Sequence, residues 1–216
     1  MREAARARVG VSLVFGVCGA GFATWAARVP AAQQRLGLSP GELAVGLFAL
    51  AAGSVVALVA AGPVIGRIGS RRGVVAGAAV LCGGLPLVAL APDLGVFVAA
   101  LAVLGVGNSL LDVSMNAHAA RVEERYGRPI FAGFHAYWNI GGLVGSGSGA
   151  LLAGVPISVH FPVAGAVLLA AALGRPGGCC SPDRTGARGA ARSRCPAARC
   201  CRWGSSRSVG SWPRAP

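Results

Sequence analysis

Six long apolar stretches, separated by short polar segments, follow one another along residues 9–173. Each is continuously apolar rather than alternating, so the pattern predicts helices and not the strands of a membrane barrel. A helix needs about 20 residues to cross a bilayer, and each stretch is close to that length. The pattern therefore predicts an all-α membrane protein with six transmembrane helices. The stretches cover approximately residues 9–27, 42–65, 74–91, 94–118, 130–155 and 157–173.

Polar residues mark where two of these helices begin. Ser39, Pro40 and Glu42 form a capping-box sequence, in which the serine caps the helix and the glutamate bonds back to the serine backbone. Asp93 follows Pro92 and can cap the fourth span in the same way. We therefore expect the second and fourth spans to begin at these caps.

Arginines indicate how the helices are oriented, because cytoplasmic loops retain positive charge. Nine of the 11 arginines in residues 1–174 precede the first span or follow the second and fourth spans, and only Arg28 and Arg35 lie in the opposite loops. The chain is therefore predicted to be a multi-pass protein of the bacterial inner membrane with both termini in the cytoplasm. A basic segment before an apolar one is also typical of a signal peptide, but five more spans follow here.

Composition supports a lipid environment. The chain is 54% hydrophobic and 12% charged, whereas an ordinary soluble domain has about 25% charged residues. All 20 basic residues are arginine, and the chain is also rich in glycine and alanine, which is typical of a GC-rich bacterial gene. The lipid bilayer is therefore the first predicted partner.

The last 42 residues differ from the rest of the chain. Residues 175–216 hold nine arginines, one acid and five of the seven cysteines, without apolar periodicity. They are predicted to form a disordered tail, encoded by a reading frame that shifts near residue 174. A zinc site and an RNA-binding arm are the alternatives. The zinc site is weaker because Cys179–Cys180 and Cys200–Cys201 are adjacent pairs without zinc-ligand spacing, and the tail has no histidine. The RNA-binding arm is weaker because a disordered tail explains the arginines and tryptophans equally well, so no nucleic-acid partner is predicted.

The fourth span carries a polar stripe. Steps of three and four residues place Gly105, Asn108, Asp112 and Asn116 on one side of the helix. A carboxylate near the centre of a membrane helix costs roughly 2.5 to 3.5 kcal/mol, so such residues usually face a cavity and have a function. The alternative is a structural role for Asp112 at the headgroup boundary, or as the partner of an arginine that follows the span, Arg121 or Arg125.

The loop between spans two and three reads Gly-Pro-Val-Ile-Gly-Arg-Ile-Gly-Ser-Arg-Arg over residues 62–72. It resembles the signature of the major facilitator superfamily, Gly-x-x-x-Asp-Arg-x-Gly-Arg-Arg. The residues that carry the resemblance are Gly62, Arg67, Gly69 and Arg71, with Arg72 directly after them. Gly66 stands where the family has aspartate and Ser70 replaces a basic residue, so the charge relay that latches the outward-open state in that family is incomplete. The alternative is a basic turn that merely obeys the inside-charge bias, but the position of the motif after the second of six spans favours the signature.

Asp112 and Asn116, together with the segment Phe-His-Ala-Tyr-Trp-Asn at residues 134–139, are similar to the fucose-permease-like branch of that superfamily. The resemblance implies that Asp112 couples uptake to protons. It also implies that Asn116, His135 and Asn139 contact the solute, although His135 could instead be an interfacial histidine satisfied by a backbone carbonyl. Asn108 is a further candidate contact because its amide lies on the polar stripe and can hydrogen-bond a polar solute. The first span lacks the second acid of the sugar permease, so the resemblance does not name the solute.

The resemblance covers residues 9–173, one six-helix half of a twelve-helix carrier. It implies transport of a small polar, sugar-like solute, without a cofactor or metal, and it requires the missing C-terminal half or a second copy. One alternative is a non-transporting scaffold or a half-carrier dimer subunit. Another is an intramembrane serine hydrolase that uses Ser109 with His135 or His160 as base.

Overall fold

The computed structural model describes the backbone of residues 2–174 and the side chains from residue 5 onward. Within this range the chain forms seven α-helices and no strand. Their bounds are α1 Arg2–Ala27, α2 Val29–Leu36, α3 Pro40–Ile68, α4 Ser70–Leu90, α5 Leu94–Tyr126, α6 Phe131–Leu151 and α7 Ile157–Leu173. Each of the six predicted spans corresponds to one long helix, and the short α2 is an additional element. The predicted tail and its cysteine pairs lie outside the described residues.

Four of these helices, α1, α3, α4 and α5, are long and apolar enough to cross a membrane. Helix α7 is apolar but has only 17 residues. Helix α6 has 21 residues, with six glycines and the polar residues His135 and Asn139 along its length. The all-α membrane class is therefore confirmed, whereas six membrane crossings remain a prediction.

Both predicted helix caps are confirmed. The Glu42 backbone N–H donates to Ser39 Oγ at 3.3 Å, and the Ser39 backbone N–H donates to Glu42 Oε2 at 2.8 Å. The two bonds satisfy groups that the first turn of α3 would otherwise leave unpaired. Asp93 Oδ1 accepts from the Val96 N–H at 2.9 Å and starts α5 in the same manner.

Helix α5 lies at the centre of the bundle, between α3 and α4, while α1 packs along α6 and α7 packs on α4. Large apolar side chains fill the space between them. Trp25, which a helix-end position would place at the membrane interface or against a solute, is 2% exposed and packs against Phe97 and Phe161. The outward face of α3 exposes Phe48 and Val59. Such a surface suits lipid, because the apolar side chains there need no burial within the protein.

Glycines set the closest helix contacts. A methyl group at Gly141 or Gly145 of α6 would overlap the carbonyl oxygen of Gly16 or Ala20 on α1. The four-residue glycine repeat in this span therefore provides a smooth packing face, as its spacing predicts. Gly105 serves the same purpose on α5, because a methyl group there would overlap the Leu50 carbonyl of α3. Its place on the predicted polar stripe is thus a helix contact and not part of an open cavity.

Candidate functional site

Asp112 and Asn116 lie one turn apart on α5 and are hydrogen bonded to each other. Asn116 Nδ2 donates to Asp112 Oδ1 at 3.2 Å and to the Asp112 carbonyl oxygen at 2.8 Å. Both side chains are half-buried. The predicted placement of Asp112 and Asn116 on one side of the helix therefore produces a half-buried carboxylate–amide pair.

Asn108, the next polar residue along the stripe, faces α1. Cys18 Sγ donates to Asn108 Oδ1 at 3.8 Å, and the side chain of Trp138 on α6 lies close to Cys18. Three helices thus meet at one buried thiol. Cys18 is 1% exposed, and Asp112 is near enough to interact with it electrostatically.

His135 and Asn139 approach the same region from α6. The His135 ring packs edge-on against Phe15 at 5.3 Å between ring centroids and tilts against Phe131 at 5.4 Å. It is also within electrostatic range of Asp112. Asn139 Nδ2 donates to the His135 carbonyl oxygen at 3.0 Å, and both side chains are exposed. The structure thus groups His135 with the α5 stripe and places Asn139 one turn further along α6.

The arginines proposed as alternative partners of Asp112 are placed elsewhere. Arg121 Nη1 donates to Ser70 Oγ at 3.2 Å, and Ser70 Oγ lies 3.4 Å from His118 Nδ1. Arg125 is exposed near the end of α5. Within residues 5–174 no ion pair involves Asp112, so neither arginine neutralises its carboxylate there.

The segment that resembles the superfamily signature is not the loop that the sequence predicts, because α3 extends to Ile68 and α4 begins at Ser70, so that only Gly69 lies outside a helix. At that one position glycine is required. Gly69, between α3 and α4, has φ +82°, a conformation that other residues rarely adopt. The loop arginines Arg67, Arg71 and Arg72 are exposed. Ser70 is only 2% exposed, and its bond to Arg121 ties the start of α4 to α5. The serine that replaces a basic residue therefore links the loop to the helix that carries Asp112.

The histidines of the hydrolase alternative have other neighbours. His160 Nε2 lies 3.4 Å from Ser148 Oγ, and the His135 ring lies against aromatic rings. In the part of the chain that the structure describes, neither forms a hydrogen bond with Ser109. A serine nucleophile needs a base within hydrogen-bond reach, so this geometry does not favour a hydrolase.

The contacts of two groups of residues were not predicted from the sequence. Cys18 and Trp138 contact the site, but a lone cysteine and an aromatic in apolar helices look like packing residues. Arg28 is 4% exposed and donates to the carbonyl oxygens of Gly149, Leu152 and Val155. The sequence contained one signal for this role, because Arg28 lies in a loop predicted to be outside the cell, where arginines are uncommon.

A helical bundle with apolar outward faces, glycine-mediated contacts and a carboxylate among amides on a half-buried surface defines a multi-pass membrane protein with a polar site. Its sequence matches the Major Facilitator Superfamily over residues 11–190. The chain belongs to this superfamily. Because that superfamily consists of membrane transporters, its membership favours a transport role over an enzymatic one.

Three relatives extend the comparison. The chain is 36% identical over 140 residues to an uncharacterized MFS-type transporter of Yersinia pestis, covering 65% of this chain and 36% of that protein. It is 31% identical over 171 residues to an uncharacterized transporter of Sinorhizobium fredii, covering 76% and 44%. It is 30% identical over 135 residues to the membrane protein MosC of Rhizobium meliloti, covering 62% and 33%. The chain thus spans less than half the length of these relatives.

Proposed function

We propose that residues 1–174 are the N-terminal six-helix half of a proton-coupled carrier for a small polar solute, in the fucose-permease-like branch. The observation that carries the proposal is the Asp112–Asn116 pair, which His135 approaches from α6 on a partly exposed side of the bundle. A carboxylate without an ion-pair partner in the described part of the chain can load and release a proton during a transport cycle.

The exposed polar side chains of α6 indicate what must surround the site. His135 and Asn139 are exposed in this bundle, and polar groups at membrane depth are costly unless they face water or protein. In carriers of this kind the solute binds between two repeats that rock against each other. A C-terminal half or a second copy of the chain therefore supplies the other wall of the cavity. Asn108, Asn116, His135 and Asn139 contact the solute from this side.

The loop formed by Gly62, Gly66, Arg67, Gly69, Arg71 and Arg72 controls the conformational change in this proposal. It lies at the cytoplasmic surface, with both termini on the same side and six helices crossing the bacterial inner membrane. Epitope tags test this topology in spheroplasts. Tags at the N-terminus and after residue 174 should be protected from external protease, whereas a tag inserted at residue 153 should be cleaved.

Proteoliposomes with an internal pH dye test the transport proposal. The chain is reconstituted alone and together with the part of the Yersinia relative that this chain does not cover, and solutes are added outside. We expect the internal pH of one of the two preparations to change when a solute is added. Asp112→Asn should abolish this pH change, while Glu124→Gln, which removes an exposed carboxylate from the same helix, should leave it unchanged. A pH change that persists in Asp112→Asn would exclude Asp112 as the coupling group.

A further inference from the structure

Hydrogen bonds within the site decide which atoms remain for a solute. The Cys18 S–H donates to Asn108 Oδ1, which is 3.8 Å from the sulfur and can only accept. The Asn108 oxygen is therefore occupied within the bundle. Its Nδ2 has no hydrogen-bond partner among residues 5–174 and is the one amide donor left over on α5.

In the next turns of α5, acceptors rather than donors are left without hydrogen-bond partners. Asn116 Nδ2 donates to the carbonyl oxygen and to Oδ1 of Asp112, so both of its hydrogens are used. Asn116 Oδ1 and Asp112 Oδ2 are left without partners in the described part of the chain, and both can only accept while Asp112 is ionised. On α6, Asn139 Nδ2 donates to the His135 carbonyl, which leaves Asn139 Oδ1 as a third acceptor.

Cations are scarce near these acceptors. Arg28 is occupied by three backbone carbonyls, and Arg121 donates to Ser70. The one basic side chain within electrostatic range of Asp112 among the described residues is His135. A carboxylate or phosphate on the solute would thus meet Asp112 and two amide oxygens without an arginine to pair with.

We infer that this site selects a solute that carries a protonated amine together with hydroxyl groups, and that it rejects anionic solutes. The ammonium group pairs with Asp112 Oδ2, hydroxyl hydrogens are accepted by Asn116 and Asn139, and one hydroxyl oxygen accepts from Asn108 Nδ2. The inference rests on the proposed function, because it assigns these residues to the solute. It adds the charge and the donor pattern of that solute.

Three sugars of nearly equal size separate the possibilities. Glucosamine, glucose and glucuronate carry a cationic, a neutral and an anionic group on similar rings. The purified 216-residue chain in lipid nanodiscs is titrated with each sugar by calorimetry, at a pH where the amine is protonated. We expect glucosamine to bind about tenfold more tightly than glucose, and glucuronate more weakly than either.

Two variants connect this preference to the site. Asp112→Asn keeps the shape and removes the charge, so it should equalise the affinities for glucosamine and glucose. Glu124→Gln should preserve the tenfold preference of the unmodified chain. Equal binding of all three sugars, tightest binding of glucuronate or binding of none would each overturn the inference. Those results leave the transport proposal to be decided by the solute-dependent pH change in the proteoliposomes, which does not depend on these sugars.

Discussion

Arg28, just beyond the end of α1, donates through Nη1 to the carbonyl oxygen of Gly149 near the end of α6, at 3.3 Å. The same guanidinium also reaches the carbonyls of Leu152 and Val155 in the connection to α7. The last carbonyls of a helix lack intrahelical partners and carry partial negative charge, so a cation stabilises them. A single side chain thereby joins the C-terminal ends of α1 and α6 to the connection that leads into α7.

Arg28→Gln should destabilise the bundle. Glutamine is shorter and uncharged, and it leaves buried carbonyl oxygens without donors, which costs about 2–3 kcal/mol of unfolding free energy. Unfolding in mixed micelles measures the loss. Arg35→Gln is the matched control, because Arg35 is exposed on α2, and it should change stability by less than about 0.5 kcal/mol. Equal effects of the two substitutions would contradict a clamping role for Arg28.

Two nearby glycines of α6 test the contact with α1. Gly145→Ala would place a methyl group against the Ala20 backbone and should cost about 1–3 kcal/mol, because rigid backbones must separate. At Gly147 an added methyl group meets nothing within 4 Å. Gly147→Ala should therefore be neutral or stabilise by up to about 1 kcal/mol through helix propensity. Thermal unfolding of the two variants compares them, and a larger loss at Gly147 would refute this packing.

Glu123 of α5 holds the start of α6. Its Oε2 accepts from the backbone N–H groups of Ile130 and Phe131 at 2.8 and 2.6 Å. Glu123→Gln retains an acceptor but removes the negative charge that favours a helix N-terminus, a loss of about 0.3–1 kcal/mol. Hydrogen exchange at residues 130–135 should accelerate in this variant and remain unchanged in Glu124→Gln. The adjacent Glu124 is exposed, so faster exchange in both variants would indicate a general charge effect.

Most of the fold could be predicted from features that lie within a single helix. The apolar stretches located all the long helices, and Ser39 and Asp93 marked two starts correctly because a cap depends on residues within one turn. The four-residue spacing of Asp112 and Asn116 likewise predicted their contact. Each of these relationships is contained within a single helix, where sequence spacing determines distance.

Relationships between distant helices could not be obtained in this way. Cys18 and Asn108 are 90 positions apart, and Gly105 was assigned to the polar stripe although it packs against α3. Both outcomes depend on which helix lies beside α5, and no periodicity within α5 contains that information. Arg28 was likewise interpreted as a loop charge, because only the folded chain shows the carbonyls around it.

Gly66 provides a test of the loop that lacks the aspartate of the superfamily signature. A side chain at Gly66 meets nothing within 4 Å, so Gly66→Asp is compatible with the fold. The new carboxylate would lie beside Arg67, which is exposed. Exposed ion pairs contribute about 0.2–1 kcal/mol. This energy corresponds to a change of up to about fivefold in the equilibrium between two conformational states.

In a carrier completed by a C-terminal half, Gly66→Asp should therefore favour the outward-open state. A cysteine introduced at Tyr137, which is 44% exposed, reports the state through labelling by a membrane-impermeant maleimide from either side. Labelling from outside should increase by up to about fivefold. Gly62→Asp is the control, since Gly62 is also open to solvent and lies one turn earlier. If both variants shift labelling equally, added negative charge rather than the signature position is responsible.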